Sequence, residues 1–532
     1  MKRTFEARKT RWDMADYIME KLAVGARKAP RDIDSKLAPV IAGKLGVKHL
    51  SFDYHVLGKS IDSRRSEPSF IYRLLVSSEE KLPLPVASPE QLALLEKAEL
   101  PLPEKCTLHN PVVVGTGPAG IFGALALAMA GAEPVIIDRG FPVDQRRDGW
   151  EKFLKTRELD EECNLLIGEG GAGAFSDGKL YTGTKDVNRR FILEEMIAAG
   201  APPEIAYLSR PHVGSDKLPL ISINLRRKIE SLGGTFLFGR EVTDLLIRNG
   251  RCAGVCCGTE NITAPAVLLA PGLGGRELVR KLLSKAAYSM KPFQMGCRIE
   301  HPQSLIDRCQ YHTASRPAAL GAAEYHLVSR PGDAWNVSSF CMCPGGTVVN
   351  ATAWKKHSIS NGMSNYARSG EFANSCLIAT LGADYFPGPQ EAYGLIERIE
   401  RSLFEAGGGD YTMIAQDAAA FLSGKKELKN NRSSCEVGII PGRIDHLLIT
   451  ELQSALRAAL RFFDRKCPGF IRDGKFIGVE SCVSSPVRLE RNERCESPTL
   501  PGLYPAGEGV GAAGGILSGA ADGLRCALAM LQ

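Results

Sequence analysis

The segment PVVVGTGPAGIFGALALAMAGAEPVIIDRG (111–140) constrains the fold more than any other part of this 532-residue chain. Its order is an apolar strand, a glycine turn, a long apolar helix and a second strand, which is typical of a dinucleotide-binding unit. In the turn, Gly115 allows a sharp exit from the strand, Gly117 lets backbone approach a pyrophosphate, and Gly120 lets helix and strand pack closely. The free N–H groups at the helix N-terminus favour phosphate there.

An acidic residue closes the second strand of this segment. Asp138 follows Gly115 by 23 residues, which is where an acid usually takes the ribose hydroxyls of an adenosine. The acid argues against a 2′-phosphate at this position, although Arg139 follows it. We therefore predict dinucleotide binding, with a structural glycine turn as the alternative. The motif alone does not separate NAD from FAD.

The far end of the chain repeats the pattern. A simple NAD-binding domain would be complete within about 150 residues, whereas this chain returns to a strand, a glycine loop and a helix at 503–531. The N-terminus of such a helix can lie beside the pyrimidine edge of a flavin, where its dipole favours the negative charge that develops near ring N1. This second unit favours FAD over NAD.

The remaining segments suggest further units. For residues 1–35 we predict a charged helix or arm, because MADYIMEKLAV (14–24) has apolar residues at helical spacing. Residues 36–105 contain a helix, two alternating strands and a proline-flanked linker, which predict a small α+β unit. Residues 290–475 mix strands with a long amphipathic helix at 448–466, so we expect an inserted domain there.

Composition excludes several classes of protein. The net charge of +6 is mild, and no run of 18 apolar residues predicts a membrane span. Most of the 15 cysteines read as small buried residues of a reducing compartment, and no second cysteine pair stands at zinc spacing, so we predict no metal site. The arm at 1–35 carries six acids beside nine bases. We therefore expect a cytoplasmic protein, with organellar import by this arm as the alternative.

Several separate segments together resemble one family. The chain is similar to the FAD-dependent dehydrogenases of the two-dinucleotide-binding-domain flavoprotein superfamily. The closest group is usually described as NAD(FAD)-utilising dehydrogenases or FAD-dependent proteins with a distinct C-terminal domain. The resemblance covers roughly residues 36–532. Its segments are KSIDSRR (59–65), VVVGTGPAG (112–120), GEGGAGAFSDGKL (168–180), PHVGSDKL (211–218), GCRIEHPQSLID (296–307), FCMCPGGTVVNA (340–351), NGMSNYARSGEFANS (361–375), GVESCVSSPVRL (478–489) and LYPAGEGVGAAGGI (503–516).

The resemblance implies an α/β fold with one FAD. A Rossmann-type, glutathione-reductase-like FAD-binding domain would be split into 106–290 and 476–532 around an inserted α+β substrate or cap domain at 291–475. A small N-terminal α+β domain at 36–105 would precede it. No particular reaction is implied. Two positions depart from the family pattern, with Cys482 where members often carry arginine and Ala512 in place of tyrosine, so the substrate specificity is expected to differ if these positions touch the substrate.

The resemblance also assigns cofactor contacts. The glycine turn 115–120 and Asp138 would keep the roles given above. The resemblance also implies that the glycine-rich loop 168–179 passes close to the isoalloxazine ring, where larger side chains would collide with it. A flexible surface loop is the alternative for that segment. The implied FAD-binding residues are Gly115, Gly117, Pro118, Ala119, Gly120, Asp138, Arg139, Gly170, Gly171, Ala172, Ser176, Val242, Ala270, Gly272, Gly507, Glu508, Gly514, Gly515 and Ile516.

Hydride transfer at a flavin needs a substrate against the ring and a group that manages a proton. The polar residues expected nearest the ring are Asp177 and Lys179 in the loop, and Arg298 and His301 in CRIEHP. For Arg298 an internal ion pair with Glu300 is the alternative, and for His301 a satisfied loop histidine. Further candidates with equally structural alternatives are His212, Asp216, Asn361, Ser364, Arg368, Ser485, Arg488 and the pair Cys341 and Cys343.

The sequence therefore predicts an FAD-dependent oxidoreductase acting on a small organic molecule. The chain has no second convincing glycine motif for a built-in NAD(P)H domain, so NADH or NADPH would bind transiently as reductant, or the electrons would come from the substrate or another protein. Two alternatives stay open. One is a flavoprotein acting on or binding RNA through the basic arm, although the arm is neutralised by acids. The other is an isoprenoid-chain reductase, which needs a long apolar tunnel. The substrate and the oligomeric state are not predicted.

Overall fold

A computed structural model describes residues 14–47, 51–64, 67–181, 183, 186–332 and 334–532. Residues 1–13 of the predicted arm, and with them the import alternative, lie outside these ranges. Within them, no helix is long and apolar enough to cross a membrane. The same residues contain no group of three or more His, Cys, Asp or Glu side chains placed to hold a metal ion.

The N-terminal unit is a three-stranded antiparallel sheet in the order β1-β3-β2. Its elements are β1 (Ala15–Gly25), α1 (Ala38–Leu45), β2 (Phe52–Asp62), β3 (Ser69–Ser78) and α2 (Pro89–Ala93). The prediction of a helix over 14–24 is wrong, because this segment is β1. A register shift between Met19 and Leu22 puts Tyr17, Met19 and Leu22 on one buried face at spacings of two and three, which imitates a helical period. The sheet thus begins inside the predicted arm.

The rest of the chain forms two larger units. In chain order the elements are β4 (Val112–Val114), α3 (Pro118–Met129), β5 (Val135–Ile137), α4 (Val143–Thr156), α5 (Arg189–Ala198), α6 (Leu218–Ser231), β6 (Thr235–Leu237), β7 (Asp244–Arg248), β8 (Arg251–Cys257), β9 (Glu260–Thr263), β10 (Val267–Leu269), α7 (Arg276–Leu282), β11 (Tyr288–Met290), β12 (Phe293–Pro302), α8 (Gln303–Tyr311), β13 (Val328–Ser329), β14 (Val337–Cys343), β15 (Thr347–Asn350), β16 (Ser360–Met363), β17 (Phe372–Leu381), α9 (Pro389–Ala406), β18 (Met413–Asp417), α10 (Ala418–Ser423), β19 (Ile439–Pro441), α11 (Ile444–Leu447), α12 (Thr450–Lys466), β20 (Lys475–Glu480), β21 (Val487–Leu489), β22 (Leu503–Pro505) and α13 (Ile516–Met530).

The first unit is built on a five-stranded parallel sheet in the order β22-β10-β4-β5-β6. The chain runs outward from β4 through β5 to β6 and then returns to β10 on the other side of β4. Ligands of such sheets bind where the strand order reverses, at the carboxyl ends of the strands. The C-terminal strand β22 completes this sheet, which confirms the predicted Rossmann-type α/β fold split between two parts of the chain. A three-stranded antiparallel meander, β7-β8-β9, lies between β6 and β10 in sequence.

The inserted unit contains a seven-stranded sheet in the order β13-β14-β17-β12-β20-β18-β19. Its pairings are antiparallel except between β18 and β19. Its last strand, β20, extends to Glu480, so the sheet runs past residue 475, where we predicted the inserted domain to end. A disulfide joins Cys309 in α8 to Cys467 just after α12, with Cα atoms 5.4 Å apart. This pair departs from the expectation of reduced thiols, whereas the other cysteines are free.

Candidate active site

A cavity of about 630 Å³ opens at the reversal point between β4 and β10. Its walls come from the turn after β4, the turn after β10, the N-terminus of α13 and the glycine-rich loop 168–179. Residues of β12, β14, β16 and β20 close the opposite end. The cavity therefore spans both units, with the parallel sheet on one side and the inserted sheet on the other.

The turn after β4 forms one end of this cavity. Gly115 has φ +93°, and a Cβ there would meet the Ala270 carbonyl oxygen at 2.2 Å, so only glycine fits. Gly117 caps α3 with ordinary φ, and its added Cβ would meet no protein atom within 4 Å. Gly120 does not line the cavity, because its Cα faces the Gly115 carbonyl oxygen, 1.8 Å from an added Cβ. Its predicted cofactor contact is thus corrected to a packing role.

Asp138 lies in the cavity wall with its carboxylate already held by the protein. Its Oδ2 accepts hydrogen bonds from the Thr116 N–H (2.8 Å) and hydroxyl (2.6 Å), and its Oδ1 accepts one from the Gly140 N–H (2.8 Å). This arrangement ties the end of β5 to the glycine turn. Arg139 and Val242 also line the cavity, and their predicted contact with the adenosine stays a proposal.

The glycine-rich loop contacts the pyrophosphate turn as well as the far end of the cavity. Gly170 does not line the cavity; its N–H donates to the Thr116 carbonyl at 2.9 Å, and an added Cβ at Gly171 would lie 3.2 Å from the Gly117 Cα. The buried guanidinium of Arg146 donates to the carbonyls of Glu169 and Gly171, which fixes the loop from behind. The loop is thus a packed wall, and the surface-loop alternative is excluded.

The C-terminal turn faces the first one across the cavity. An added Cβ at Gly507 would lie 3.1 Å from the Ala119 Cβ. Glu508 Oε1 accepts hydrogen bonds from Lys291 Nζ (3.2 Å) and the Ser485 N–H (3.0 Å). The cavity wall includes the predicted residues Ala172, Ser176, Ala270, Gly272, Gly507, Glu508, Gly514, Gly515 and Ile516. The predicted cofactor contacts at these positions therefore stay open as proposals.

Asp177 and Lys179 line the far end of the cavity as an ion pair, with Lys179 Nζ 3.0 Å from Asp177 Oδ2. Arg368 donates two hydrogen bonds to the same carboxylate, from Nε to Oδ1 at 2.9 Å and from Nη2 to Oδ2 at 2.5 Å. The Ser364 hydroxyl also donates to Asp177 Oδ1. Burial would raise the pKa of Asp177, but Lys179 and Arg368 hold it well below its usual range. Burial likewise opposes the charge of Lys179, yet Asp177 raises its pKa, so both groups are charged at neutral pH.

Arg298 stands one layer behind the cavity wall. It is fully buried and donates to Glu480 Oε2 at 2.9 and 2.5 Å and to Asn374 Oδ1 at 2.6 Å. Glu480 and Asn361 line the cavity, and Arg298 fixes Glu480. Burial raises the pKa of Glu480, although the Arg298 guanidinium opposes the shift. Glu300, the alternative partner, accepts hydrogen bonds from Ser434 instead and forms no ion pair with Arg298. Arg298 therefore positions a residue of the cavity wall.

His301 is not part of the site. Its side chain is 1% exposed, its Nε2 lies 2.8 Å from the Phe470 carbonyl, and its ring lies 4.2 Å from the Phe470 ring. Burial lowers its pKa to about 4. The prediction that His301 is catalytic is therefore wrong. Side chains alternate between the two faces of β12, and His301 is on a face that packs in the core.

Other candidates also have structural partners. His212 Nε2 lies 3.0 Å from the Tyr366 carbonyl, Asp216 accepts from the Tyr366 N–H, and Arg488 donates to the Gly511 carbonyl. Ser364 and Arg368 act through Asp177. Among the departures from the family pattern, Cys482 lines the cavity and burial raises its pKa to about 12.

Cys341 and Cys343 both line the cavity. Cys341 has φ +42° at an irregularity in β14, and it is an exposed residue of the cavity wall. The surrounding protein raises the pKa of the Cys341 thiol to about 12, so it is neutral at physiological pH.

Sequence reasoning missed several wall residues. These residues follow ordinary strand or loop patterns: some flank the glycine-rich loop, and the others come to the cavity through the packing of the inserted unit. Glu480 stood inside a quoted segment, GVESC, which was a usable signal. The missed residues include Leu166, Ile167, Tyr181, Gln294, His326, Ser339, Phe340, Glu480 and Ser484.

The donors of the cavity fit a dinucleotide. The N-termini of α3 and α13 both open onto it, which places unpaired N–H groups and positive dipole ends there. At Gly117, Gly272 and Gly515 an added Cβ would meet no protein atom within 4 Å and would enter the space of a ligand. The fold and the site define a dinucleotide-binding protein of the two-part Rossmann class.

Comparisons with known proteins narrow this class. The model of the FAD-dependent protein C-terminal domain family matches residues 292–483. A protein of Clostridium beijerinckii described as uncharacterized is 41% identical over 425 residues, which is 79% of this chain and 80% of the relative. The chain belongs to this family of FAD-dependent proteins, and its cofactor is FAD.

Solved structures with similar folds are more distant. A geranylgeranyl bacteriochlorophyll reductase-like protein from Thermoplasma acidophilum is 13% identical, with 79% of this chain and 77% of that chain covered and a TM-score of 0.35. The L-proline dehydrogenase of P. horikoshii is 11% identical, with 80% and 92% covered and a TM-score of 0.32.

Proposed function

We propose that the protein is an FAD-dependent oxidoreductase that acts on a small organic substrate. The observation that carries the proposal is the continuity of one cavity, from the glycine turn at Gly117 to the charged pair Asp177 and Lys179. When bound, the flavin supplies hydride transfer at its N5 position. The residues of the chain have to bind the cofactor, orient the substrate and manage a proton.

In this proposal each polar group of the far end has a separate task. Lys179 is the catalytic residue, because its ammonium reaches the cavity and holds a proton at Nζ. Asp177 and Arg368 are positioning residues that fix this ammonium. Arg298 positions Glu480, whose carboxyl faces the cavity beside Cys482. The inserted sheet covers this end and keeps bulk water from the substrate.

The cofactor contacts are proposed along the cavity. Gly115, Gly117, Pro118 and Ala119 meet the pyrophosphate, together with Gly171 of the glycine-rich loop. Asp138, Arg139 and Val242 meet the adenosine. The contacts proposed near the ring and its ribityl chain are Ala172, Ser176, Ala270, Gly272, Gly507, Glu508, Gly514, Gly515 and Ile516.

Purified protein tests the proposal directly. We expect a yellow protein, or a protein that gains protein-bound flavin absorbance and thermal stability when FAD is added. Anaerobic mixing of this holoprotein with NADH, NADPH and candidate substrates should bleach the flavin absorbance with at least one of them. Protein that stays colourless and shows no thermal shift with FAD would sink the proposal.

The two alternatives predict other outcomes. An RNA-directed flavoprotein would be retained on a tRNA column and released at moderate salt. An isoprenoid-chain reductase, once reduced by a donor, would recover its flavin absorbance only when a long apolar substrate accepts the hydride. The charged and polar lining at Lys179, Asn361, Gln294 and Glu480 speaks against an apolar tunnel at this end of the cavity.

A further inference from the structure

A row of alternating positive and negative side chains runs from Arg210 at the surface to Lys179 at the far end of the cavity. Arg210 lies 3.0 Å from Glu324, Glu324 lies 3.7 Å from Arg368, and Arg368 lies 2.5 Å from Asp177. Lys179 follows at 3.0 Å. The row contains three cations and two anions, so it carries one excess positive charge.

The position of the excess charge follows from geometry. The Asp177 carboxylate takes two parallel hydrogen bonds from the Arg368 guanidinium, the strong bidentate arrangement. Arg210, at the outer end, has a side chain that is 52% exposed and therefore screened by water. Lys179 is only 14% exposed and lines the cavity. An ammonium has three donors, and the Asp177 carboxylate, 3.0 Å from Lys179 Nζ, is the anion beside it.

The other carboxylates near this end are already matched. Arg298 compensates Glu480, and Lys291 compensates Glu508. The remaining acids of the described wall also have partners: Asp138 accepts from Thr116 and Gly140, Glu241 lies 3.7 Å from Arg139, and Glu277 lies 3.6 Å from Arg276. The described wall therefore offers no spare anion to Lys179.

We infer that the substrate is a small organic anion, in its simplest form a carboxylate, whose charge is bound by Lys179 Nζ. The inference rests on the proposed function and names the substrate class of the same site. The size follows because a cavity of about 630 Å³ has to hold the elongated dinucleotide as well. The sign follows because Lys179 shares Asp177 with Arg368, so the row keeps one positive charge in excess, and an incoming anion removes the cost of burying it.

Ligand binding to the FAD-loaded protein tests the inference without turnover. Benzoate and its neutral isostere benzamide are titrated while perturbation of the flavin absorbance is recorded. We expect saturable benzoate binding and at least roughly tenfold weaker benzamide binding, since a hydrogen bond to a charged partner is the stronger kind. Lys179→Arg should keep this preference, and Lys179→Gln should abolish it. Lys155→Gln, on the exposed face of α4, is the matched control and should change nothing.

Each outcome decides the question. Equal binding of benzoate and benzamide by the unmodified holoprotein overturns the inference, even if Lys179→Gln fails to retain FAD. So does a Lys179→Gln holoprotein that keeps the preference, because Lys179 would then serve the flavin alone. A protein that binds FAD and prefers benzoate, but is never bleached by any donor, fails the proposed function instead.

Discussion

At the scale of single residues, Gly117 and Gly120 of the turn after β4 have different roles. Position 120 needs a glycine for packing inside the protein, because an added Cβ would lie 1.8 Å from the Gly115 carbonyl oxygen. Gly117 is different, since its φ of −70° suits any residue and an added Cβ would find open space. The motif already gives Gly117 the approach to a pyrophosphate and Gly120 the packing of helix on strand, and the structure removes the additional cofactor contact that the family resemblance gave to Gly120.

This difference predicts two phenotypes. Gly117→Val should leave folding intact and weaken FAD binding at least about tenfold, because its side chain enters the proposed pyrophosphate space. Gly120→Ala should instead lower the free energy of unfolding by about 1–3 kcal/mol, because backbone has to move. Flavin fluorescence titration and urea unfolding of the apoprotein measure the two effects. A Gly117→Val protein with normal FAD affinity would contradict the proposed pyrophosphate site.

The Asp177 carboxylate predicts a pH effect. Asp177→Asn should cost about 3–5 kcal/mol of stability at pH 7, because Lys179 and Arg368 lose their buried counter-charge. The pKa of Asp177 is lowered in the folded state, so its contribution is present above the ordinary aspartate pKa and is lost as pH falls below it. The stabilities of the two proteins should converge in acid. Urea unfolding at several pH values checks this, and exposed Asp148→Asn should show no such pattern.

At the scale of elements, α3 and α13 pack through glycines at the core of the split domain. An added Cβ at Gly523 in α13 would lie 1.9 Å from the Ala119 carbonyl oxygen in α3. The two helices come from opposite ends of the chain, and their N-termini open onto the same cavity. Their close approach therefore sets the width of the cofactor site.

Gly523→Ala should destabilise the protein and weaken FAD binding together, because the clash separates the helices. This holds despite the gain of roughly 1 kcal/mol that alanine brings to a helix interior. Gly394→Ala in α9 is the matched control, since its Cβ would meet nothing within 4 Å. It should raise stability by about 0.4–1 kcal/mol. Thermal unfolding with and without FAD distinguishes the cases, and a stabilised Gly523→Ala protein would refute the close contact.

Helices and strands were predicted correctly where apolar residues kept one regular spacing along the segment. The prediction failed where a local irregularity changed that spacing. The apolar period of 448–466 predicted α12, and the strand–glycine–helix patterns predicted β4, α3, β22 and α13. The segment Ala15–Gly25 was mistaken for a helix because its register shift replaces strict alternation. Lys21, with φ +56°, lies at that shift, and no residue type in the sequence announces it.

At the scale of the whole molecule, a half-buried carboxylate holds the N-terminal unit on the split domain. Asp34 Oδ1 accepts from Lys59 Nζ (2.6 Å) and the Tyr72 hydroxyl (2.7 Å), and its Oδ2 accepts from the Tyr207 hydroxyl (3.0 Å). Tyr207 precedes β6 in the FAD-binding part. Backbone hydrogen bonds between Lys59 and Tyr207 and from Ser209 to Lys59 add to the contact.

Removing this acceptor should loosen the N-terminal unit without unfolding the rest. Asp34→Ala should speed limited proteolysis in the linker between β3 and β4 several-fold, because two tyrosine hydroxyls and an ammonium lose their partner. Asp32→Ala, whose surface ion pair with Lys36 is more than half exposed, should change the rate little. Mass spectrometry of the fragments locates the cuts. Equal rates in the two variants would mean that Asp34 does not anchor the unit.

The sequence by itself determined the split Rossmann fold, the glycine turn and the family, because these depend on local periods and on short motifs with fixed spacing. Tertiary structure alone decided that His301 lies in the core, that Arg298 serves Glu480 and that Lys179 keeps an excess charge at the cavity. These outcomes depend on which strand face meets which neighbour across distant parts of the chain. Such long-range contacts set burial and charge balance, and no local pattern encodes them.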